Sequence, residues 1–244
     1  MTDQIVLTTL TYSDEDHGTW CELYRRQWDR VQNIACQQWI AGMAKLALDP
    51  TRVPVAAEIS ARIEGMTGWT LGDAQNAYLG RTEWFEHLAE RRFPVTNYIR
   101  RPHEIEFTPL PDLFHEYFGH LAFFTDQWFA DTAEMFGKLY LATTDERQQV
   151  EIARLWWFTT EFGLIREAGE IKLYGAGLLS SPGELNFALL PETPRYQFDI
   201  RKVAQTESAV HSYHKGYFVL EDADQVRRIL RDYARMEGLP DVTK

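Results

Sequence analysis

The sequence predicts a mainly α-helical fold with a few short strands (α+β), gathered into a single domain of 244 residues. Three observations predict it. Apolar residues recur at steps of three and four along most of the chain, which is the period of an amphipathic helix. The stretches of strand composition, Ile171 to Tyr174 and Tyr217 to Leu220, are short and lie between helical segments. No linker, internal repeat or low-complexity run divides the chain, and its length suits one large domain. Hydrophobic residues make up 45% and aromatics 14%, with eight Trp, which suits a core or pocket built from rings.

Charge and cysteine usage narrow the setting. A formal net charge of −11 argues against nucleic acid and against anionic membrane surfaces as partners. Met1-Thr2-Asp3-Gln4 lacks the basic region and apolar run of a signal peptide. No apolar stretch approaches the roughly 20 residues needed to span a bilayer. Cys21 and Cys36 are the only cysteines. In one helix they would lie about 22 Å apart, too far to pair, and reduced thiols suit a cytoplasmic protein.

Taken in order, residues 1–16 read as a polar N-terminal arm. Thr19 to Glu22 has the form of a capping box. Behind it Trp20, Tyr24, Trp28, Val31, Ala35 and Trp39 mark one long helix to about Leu48, ended by Asp49-Pro50. Residues 53–63 form a second helix, and Met66 to Gly72 a turn-rich connection. Thr82 caps a helix through Ala89. Phe93 to Ile99 reads as extended and is bracketed by Arg91, Arg92, Arg100 and Arg101, a basic cluster in an acidic chain. Helices follow from Asp126 to Tyr140, from Asp145 onward, and from Asp222 through Tyr233 to a stop at Gly238-Leu239-Pro240. Gly175-Ala176-Gly177 lacks both the full G-x-G-x-x-G and the βαβ unit of a dinucleotide site.

The chemistry concentrates in Pro111 to His120. Asp112 is a good N-cap, and His115 and Glu116 then fall in the first turn. On a regular helix residues four apart lie about 40° apart around the axis and residues five apart about 140°. His115 and His120 are therefore not the H-E-x-x-H pair of a zinc protease. They converge on one ion only where the helix bends, and Gly119 is the expected place. Downstream, Glu161 stands among apolar residues, where a carboxylate is costly unless paired or metal-bound. Two imidazoles and one carboxylate make the facial set of non-haem Fe(II) oxygenases.

These residues occur within longer matches in a fixed order. They run from Asp16-His17 to Gln27, through Arg91-Arg92-Phe93 to Arg100, then Pro111-Asp112 with His115-Glu116 and Gly119-His120. Trp157-Phe158-Thr159 with Glu161-Phe162-Gly163-Leu164 follows, and then Tyr174-Gly175-Ala176-Gly177-Leu178-Leu179-Ser180-Ser181. Over residues 10–235 the chain resembles the aromatic amino acid hydroxylases, in particular the short bacterial phenylalanine 4-hydroxylases. The resemblance implies that family's single catalytic domain. It also implies Fe(II), a tetrahydropterin and O2 as co-substrate, with one oxygen atom inserted into an aromatic ring.

Position by position, the resemblance implies His115, His120 and Glu161 as metal ligands. It puts Arg100 at the substrate carboxylate with Thr108 and Ser180 as neighbours, and Ser180 also behind His115. Trp157 becomes the wall beside the substrate ring, and Glu116 the acid facing the pterin. Trp84 becomes the ring on which the pterin stacks, and Tyr78 and Leu79 the loop along its edge. The loop reads Asn76-Ala77-Tyr78-Leu79 where relatives have a Pro-Gly-Leu-like start. Trp84 replaces the usual Phe, and Trp156 replaces the usual Tyr or Phe. Trp157 and Val210 together favour phenylalanine over tryptophan and tyrosine as substrate. The chain has no room for the regulatory domain and tetramerising helix of animal relatives, so a monomer is expected. The competing readings are meta-hydroxylation or another aromatic amino acid, a zinc hydrolase using Glu116 as base, and a silent pterin- or amino-acid-binding protein.

Overall fold

The computed structural model describes residues 10–74, 79–106, 108, 110–209 and 212–243. Helix α1 (Asp14–Val31) begins at Ser13, whose hydroxyl and Asp16 form a reciprocal capping box. The box expected at Thr19 is thus one turn inside the helix, and the arm ends sooner than residue 16. The single long helix expected through Leu48 is broken. Residues 34–36 leave the helix to pair with the backbone at Leu173, by Leu173 N to Ile34 O at 2.8 Å and Cys36 N to Leu173 O at 2.9 Å. Helix α2 (Gln37–Leu46) follows. The apolar stripe survives the break because Val31, Ala35 and Trp39 are all buried, which is why periodicity alone ran through it. Cys21 and Cys36 lie on different segments and both are free.

Helix α3 (Ala56–Thr67) ends at Gly68 in the left-handed region, φ +72. The stretch read as a turn-rich connection is the short strand β1 (Thr70–Asp73), which pairs in parallel with β2 (Arg92–Val95). Between them α4 (Arg81–Ala89) is capped at Gly80, not Thr82. The arginines around β2 are held within the chain. Arg91 bridges Asp131 and Glu134, and Arg92 contacts Glu90 and His87. Helices α5 (Gln127–Leu141) and α6 (Glu146–Trp156) start at the expected caps, Asp126 and Asp145.

A second sheet has the order β4-β3-β6-β5. In it β3 (Leu164–Glu167) pairs antiparallel with β4 (Glu170–Leu173) and parallel with β6 (Tyr217–Leu220), and β5 (Arg195–Gln197) runs parallel to β6. Short helices α7 (Ala176–Ser180), α8 (Pro182–Leu189) and α9 (Ile200–Gln205) fill the crossover, and α10 (Asp224–Glu237) closes the chain. Asp222 accepts from Gln225 N at 2.8 Å at the start of α10, as its capping role requires.

The core is one apolar cluster with Trp20, Trp39, Trp69, Phe114 and Phe118 fully buried. It supports the His115 segment from behind. Phe114 and Phe118 stack at 4.8 Å, Trp20 meets Phe114 edge-on at 5.5 Å, and Trp39 Nε1 donates to Phe118 O at 3.0 Å. Helices α4 and α5 cross so closely at Gly137 that a Cβ there would meet Phe85 O at 2.7 Å and come nearer still to Ala89 N. Gly137→Ala should therefore destabilise the fold by about 1–3 kcal/mol, read as a lower urea midpoint. An unchanged midpoint would show that the crossing relaxes freely.

Candidate active site

The chain from His115 to His120 is a π-helical turn, with Leu121 N donating to Glu116 O at 3.2 Å. A π turn closes from residue i to i+5, so the two imidazoles five residues apart share one face. The expected bend at Gly119 is instead this wider turn. Gly119 serves the close approach of α7, since a Cβ there would meet Ala176 O at 2.8 Å. The second half of the site repeats the device. Trp157–Glu161 is also π-helical, with Phe162 N bonded to Trp157 O at 2.9 Å. It extends α6 and carries Glu161 to the histidines.

The donor atoms of His115, His120 and Glu161 all lie within 4.8 Å of one another. His120 Nε2 is 3.1 Å from His115 Nε2 and 3.0 Å from Glu161 Oε1, and His115 Nε2 is 3.6 Å from Glu161 Oε2. His115 Nδ1 meets Ser180 Oγ at 2.8 Å, and that hydroxyl donates its proton to Ala176 O at 2.8 Å. Ser180 must then accept, so His115 carries its proton on Nδ1 and turns an Nε2 lone pair to the centre. Burial, and then the neighbouring His120, push the His115 imidazole down to about 4. Burial acts to raise the Glu161 carboxyl, but His120, His115 and a hydrogen bond from Trp156 outweigh it and bring it down to about 2. A neutral imidazole and an ionised carboxylate converging on one point fit a divalent cation. The two-His, one-carboxylate composition fits iron.

Ser180→Ala should lower Fe(II) or Co(II) affinity by about 10–100-fold while the fold is kept. A metal titration showing wild-type affinity would remove Ser180 from any orienting role.

The ligands form one wall of a cavity of about 510 Å³. Trp84, Phe93, Trp156, Trp157 and Phe162 give it aromatic sides, and Leu79, Glu116, Leu110 and Ser208 also line it. Trp84 packs edge-on against Trp156 at 4.8 Å. Burial first, and then the charges of Glu161 and Asp112, push the Glu116 carboxyl well above the usual carboxylate range. The shift favours the protonated form of this carboxyl, which faces the cavity.

Leu79, Trp84, Glu116 and Trp157 line the same cavity as His115, His120 and Glu161. Tyr78 and Val210 lie outside the described residues. Arg100 and Thr108 are not among the described residues that line the cavity. Thr108 donates to Leu110 O at 3.2 Å. Arg100 is 4% exposed and gives Nε and Nη2 to the two oxygens of Asp112, both at 2.8 Å. Asp112 also accepts from His115 N at 3.1 Å, so it is both cap and counterion. Ser180 is buried with its proton committed to Ala176 O and is not among the described residues that line the cavity. It sits behind His115, as the resemblance also implies.

Sequence reasoning missed two groups. Trp156 Nε1 donates to Glu161 Oε1 at 3.0 Å and orients that carboxylate. Glu184 and His214 form a buried pair behind Trp157. The clue to Glu184 was a lone acid in the apolar stretch of α8, the same clue that marked Glu161.

Comparison with known proteins agrees with this geometry. The family model described as biopterin-dependent aromatic amino acid hydroxylase matches residues 3–239. The phenylalanine-4-hydroxylase of Caulobacter vibrioides is 34% identical over 238 residues, covering 95% of this chain and 81% of that one. The enzyme of the same name from Chromobacterium violaceum is 37% identical over 216 residues, covering 88% and 72%. The crystal structure of the C. violaceum enzyme with bound iron(III) and oxidised 7,8-dihydrobiopterin superposes with a TM-score of 0.87 at 34% identity, covering 94% of this chain and 86% of that one. The apo phenylalanine hydroxylase of Colwellia psychrerythraea also gives a TM-score of 0.87 at 34% identity, covering 94% and 89%. A matched family model over nearly the whole chain, on a fold whose two π turns bring the ligand set together, makes this chain a member of the biopterin-dependent aromatic amino acid hydroxylases.

Proposed function

We propose that this chain hydroxylates the ring of L-phenylalanine to give L-tyrosine, using Fe(II), a tetrahydropterin and O2. The observation that carries the reading is the convergence of His115, His120 and Glu161 on the wall of an aromatic cavity of about 510 Å³, in a chain whose relatives bear that activity in their names. When bound, iron and reduced pterin together supply the activation of O2 for insertion of one oxygen atom into the ring.

The chain's own residues do the rest. His115, His120 and Glu161 hold the metal on one side and leave positions open to the cavity. Ser180 and Trp156 fix the orientation of two of these ligands through bonds of 2.8 and 3.0 Å. Glu116, whose burial favours the protonated carboxyl, faces the pterin. Trp84 offers a ring face to the same group, and Leu79 lines its edge. Trp157 and Phe162, 4.9 Å apart, form the wall beside the amino acid ring and exclude water. Arg100 receives the amino acid carboxylate at Nη1, the nitrogen that Asp112 does not engage and that contacts Ile105 O at 3.4 Å. Thr108 supports that end.

No helix among the described residues is long and apolar enough to cross a membrane. We assign the chain a cytoplasmic setting and a single-domain, monomeric working form, in keeping with its free cysteines. The test is product identification. The protein loaded with Fe(II) is given a tetrahydropterin, O2 and L-Phe, and the product is run against ortho-, meta- and para-tyrosine. Para-tyrosine dependent on both iron and pterin is expected. Meta-tyrosine would keep the chemistry and overturn the 4-position. Pterin oxidation triggered only by Trp or Tyr would move the substrate, and none with any aromatic amino acid would overturn the enzyme reading.

A further inference from the structure

Outside the metal ligands, one buried polar chain reaches the cavity wall. Glu184 on α8 and His214 before β6 are 7% and 3% exposed. Glu184 Oε1 accepts from His214 Nδ1 at 2.6 Å, from His214 N at 3.2 Å and from the Tyr217 hydroxyl at 2.8 Å. On its far side His214 Nε2 accepts from Trp157 Nε1 at 2.7 Å. An indole N–H can only donate, so Nε2 carries no proton and Nδ1 carries it. The imidazole is neutral, with both ring nitrogens engaged. Phe162 and Phe158 enclose it, with ring centroids at 4.5 and 5.5 Å.

Polar groups placed in such a layer cost free energy unless every one is bonded. Packing Trp157 against Phe162 needs none of them. What the polar chain adds is direction. An aromatic ring has a broad, roughly two-fold preference about its second side-chain torsion, and a bond at the indole nitrogen selects one of the two faces. Tyr217 and the His214 backbone brace Glu184, so the imidazole cannot swing away without losing several bonds together.

We propose that His214, held by Glu184, is a positioning residue that locks the Trp157 indole in one orientation and so sets the shape of the substrate-ring compartment. The inference rests on the reading of Trp157 as the wall beside that ring. A locked wall discriminates between rings by shape, whereas a wall free to turn over admits a bicyclic ring.

The experiment compares His214→Leu, His214→Gln and Trp157→Phe as Fe(II)-loaded enzymes supplied with a tetrahydropterin, O2 and either L-Phe or L-Trp. His214→Leu should raise KM for L-Phe roughly tenfold, the effect of about one lost hydrogen bond, with a smaller change in kcat. It should also lower the preference for L-Phe over L-Trp, and more pterin should be oxidised per amino acid hydroxylated. His214→Gln offers an amide acceptor to Trp157 and an amide donor to Glu184, and should restore KM, preference and coupling. If His214→Leu does not fold, the double variant His214→Leu/Glu184→Gln removes the buried charge together with its donor, and the same shifts are expected. Unchanged KM, preference and coupling in the folded His214 variant, with a shift in Trp157→Phe, would overturn the lock and leave the wall. No shift in Trp157→Phe either would overturn the wall itself. Equal losses in His214→Leu and His214→Gln would overturn the lock in favour of a packing role.

Discussion

Glu161→Ala should leave a folded protein that no longer holds Fe(II), and His120→Ala should do the same. Each removes a donor from a set whose atoms lie within 4.8 Å of one another; Glu161→Ala leaves only the two imidazoles of the first π turn, and His120→Ala leaves one donor on each turn. Metal affinity should fall by more than the roughly 100-fold that loss of a supporting partner costs, and hydroxylation should fall with it. The fold should survive, because neither side chain is part of the apolar cluster built on Trp20, Trp39 and Phe118. Iron content after reconstitution, set beside circular dichroism and the thermal midpoint, checks both halves. Near-normal turnover in either variant would dismantle the site. Glu161→Gln adds a finer reading. It keeps the acceptor for Trp156 but removes the charge, so iron should still be lost if the carboxylate itself is the ligand.

Arg100→Ala should be the most damaging change to stability. Arg100 and Asp112 are 4% and 0% exposed, and they share two bonds of 2.8 Å. Burial acts to raise the Asp112 carboxyl, but the hydrogen bonds and charge of Arg100 outweigh it and hold it below the usual carboxylate range. Truncating the arginine leaves that carboxylate buried without its counterion, which costs about 3–5 kcal/mol. Because Asp112 also caps the turn that bears His115, metal affinity should weaken as well. The proposed role at the amino acid carboxylate adds a severe rise in the apparent KM for L-Phe. Urea unfolding and steady-state kinetics on Arg100→Ala and Asp112→Asn separate the two. A loss of stability in both with an unchanged KM in Arg100→Ala would confine Arg100 to the scaffold.

Much of this was legible in the chain. Asp126 and Asp145 begin helices because a short acidic side chain before an apolar period satisfies orphan N–H groups locally. Glu161 stood out as an acid among apolar residues, and burial with two imidazoles is the outcome. β1 was not legible and β2 only as an extended stretch from Phe93, because four residues show no secure two-residue alternation and their pairing joins Thr70 to Arg92 across a helix. The break after α1 escaped for a related reason. It is imposed by Leu173, far along the chain, while the stripe of Val31, Ala35 and Trp39 keeps its local spacing.

The sequence by itself determined the helical class, the three candidate ligand residues and the family, since these rest on residue type and order. Tertiary structure alone decided how the ligands meet. Histidines five apart diverge on a regular helix and align only on a π turn, and that turn is held by packing against Trp20, Trp39 and α7. It also decided which polar groups face each other in the interior. Arg100 with Asp112, Trp156 with Glu161, and Glu184 with His214 and Trp157 are pairings between segments, set by desolvation and directional hydrogen bonding once the core closes around them.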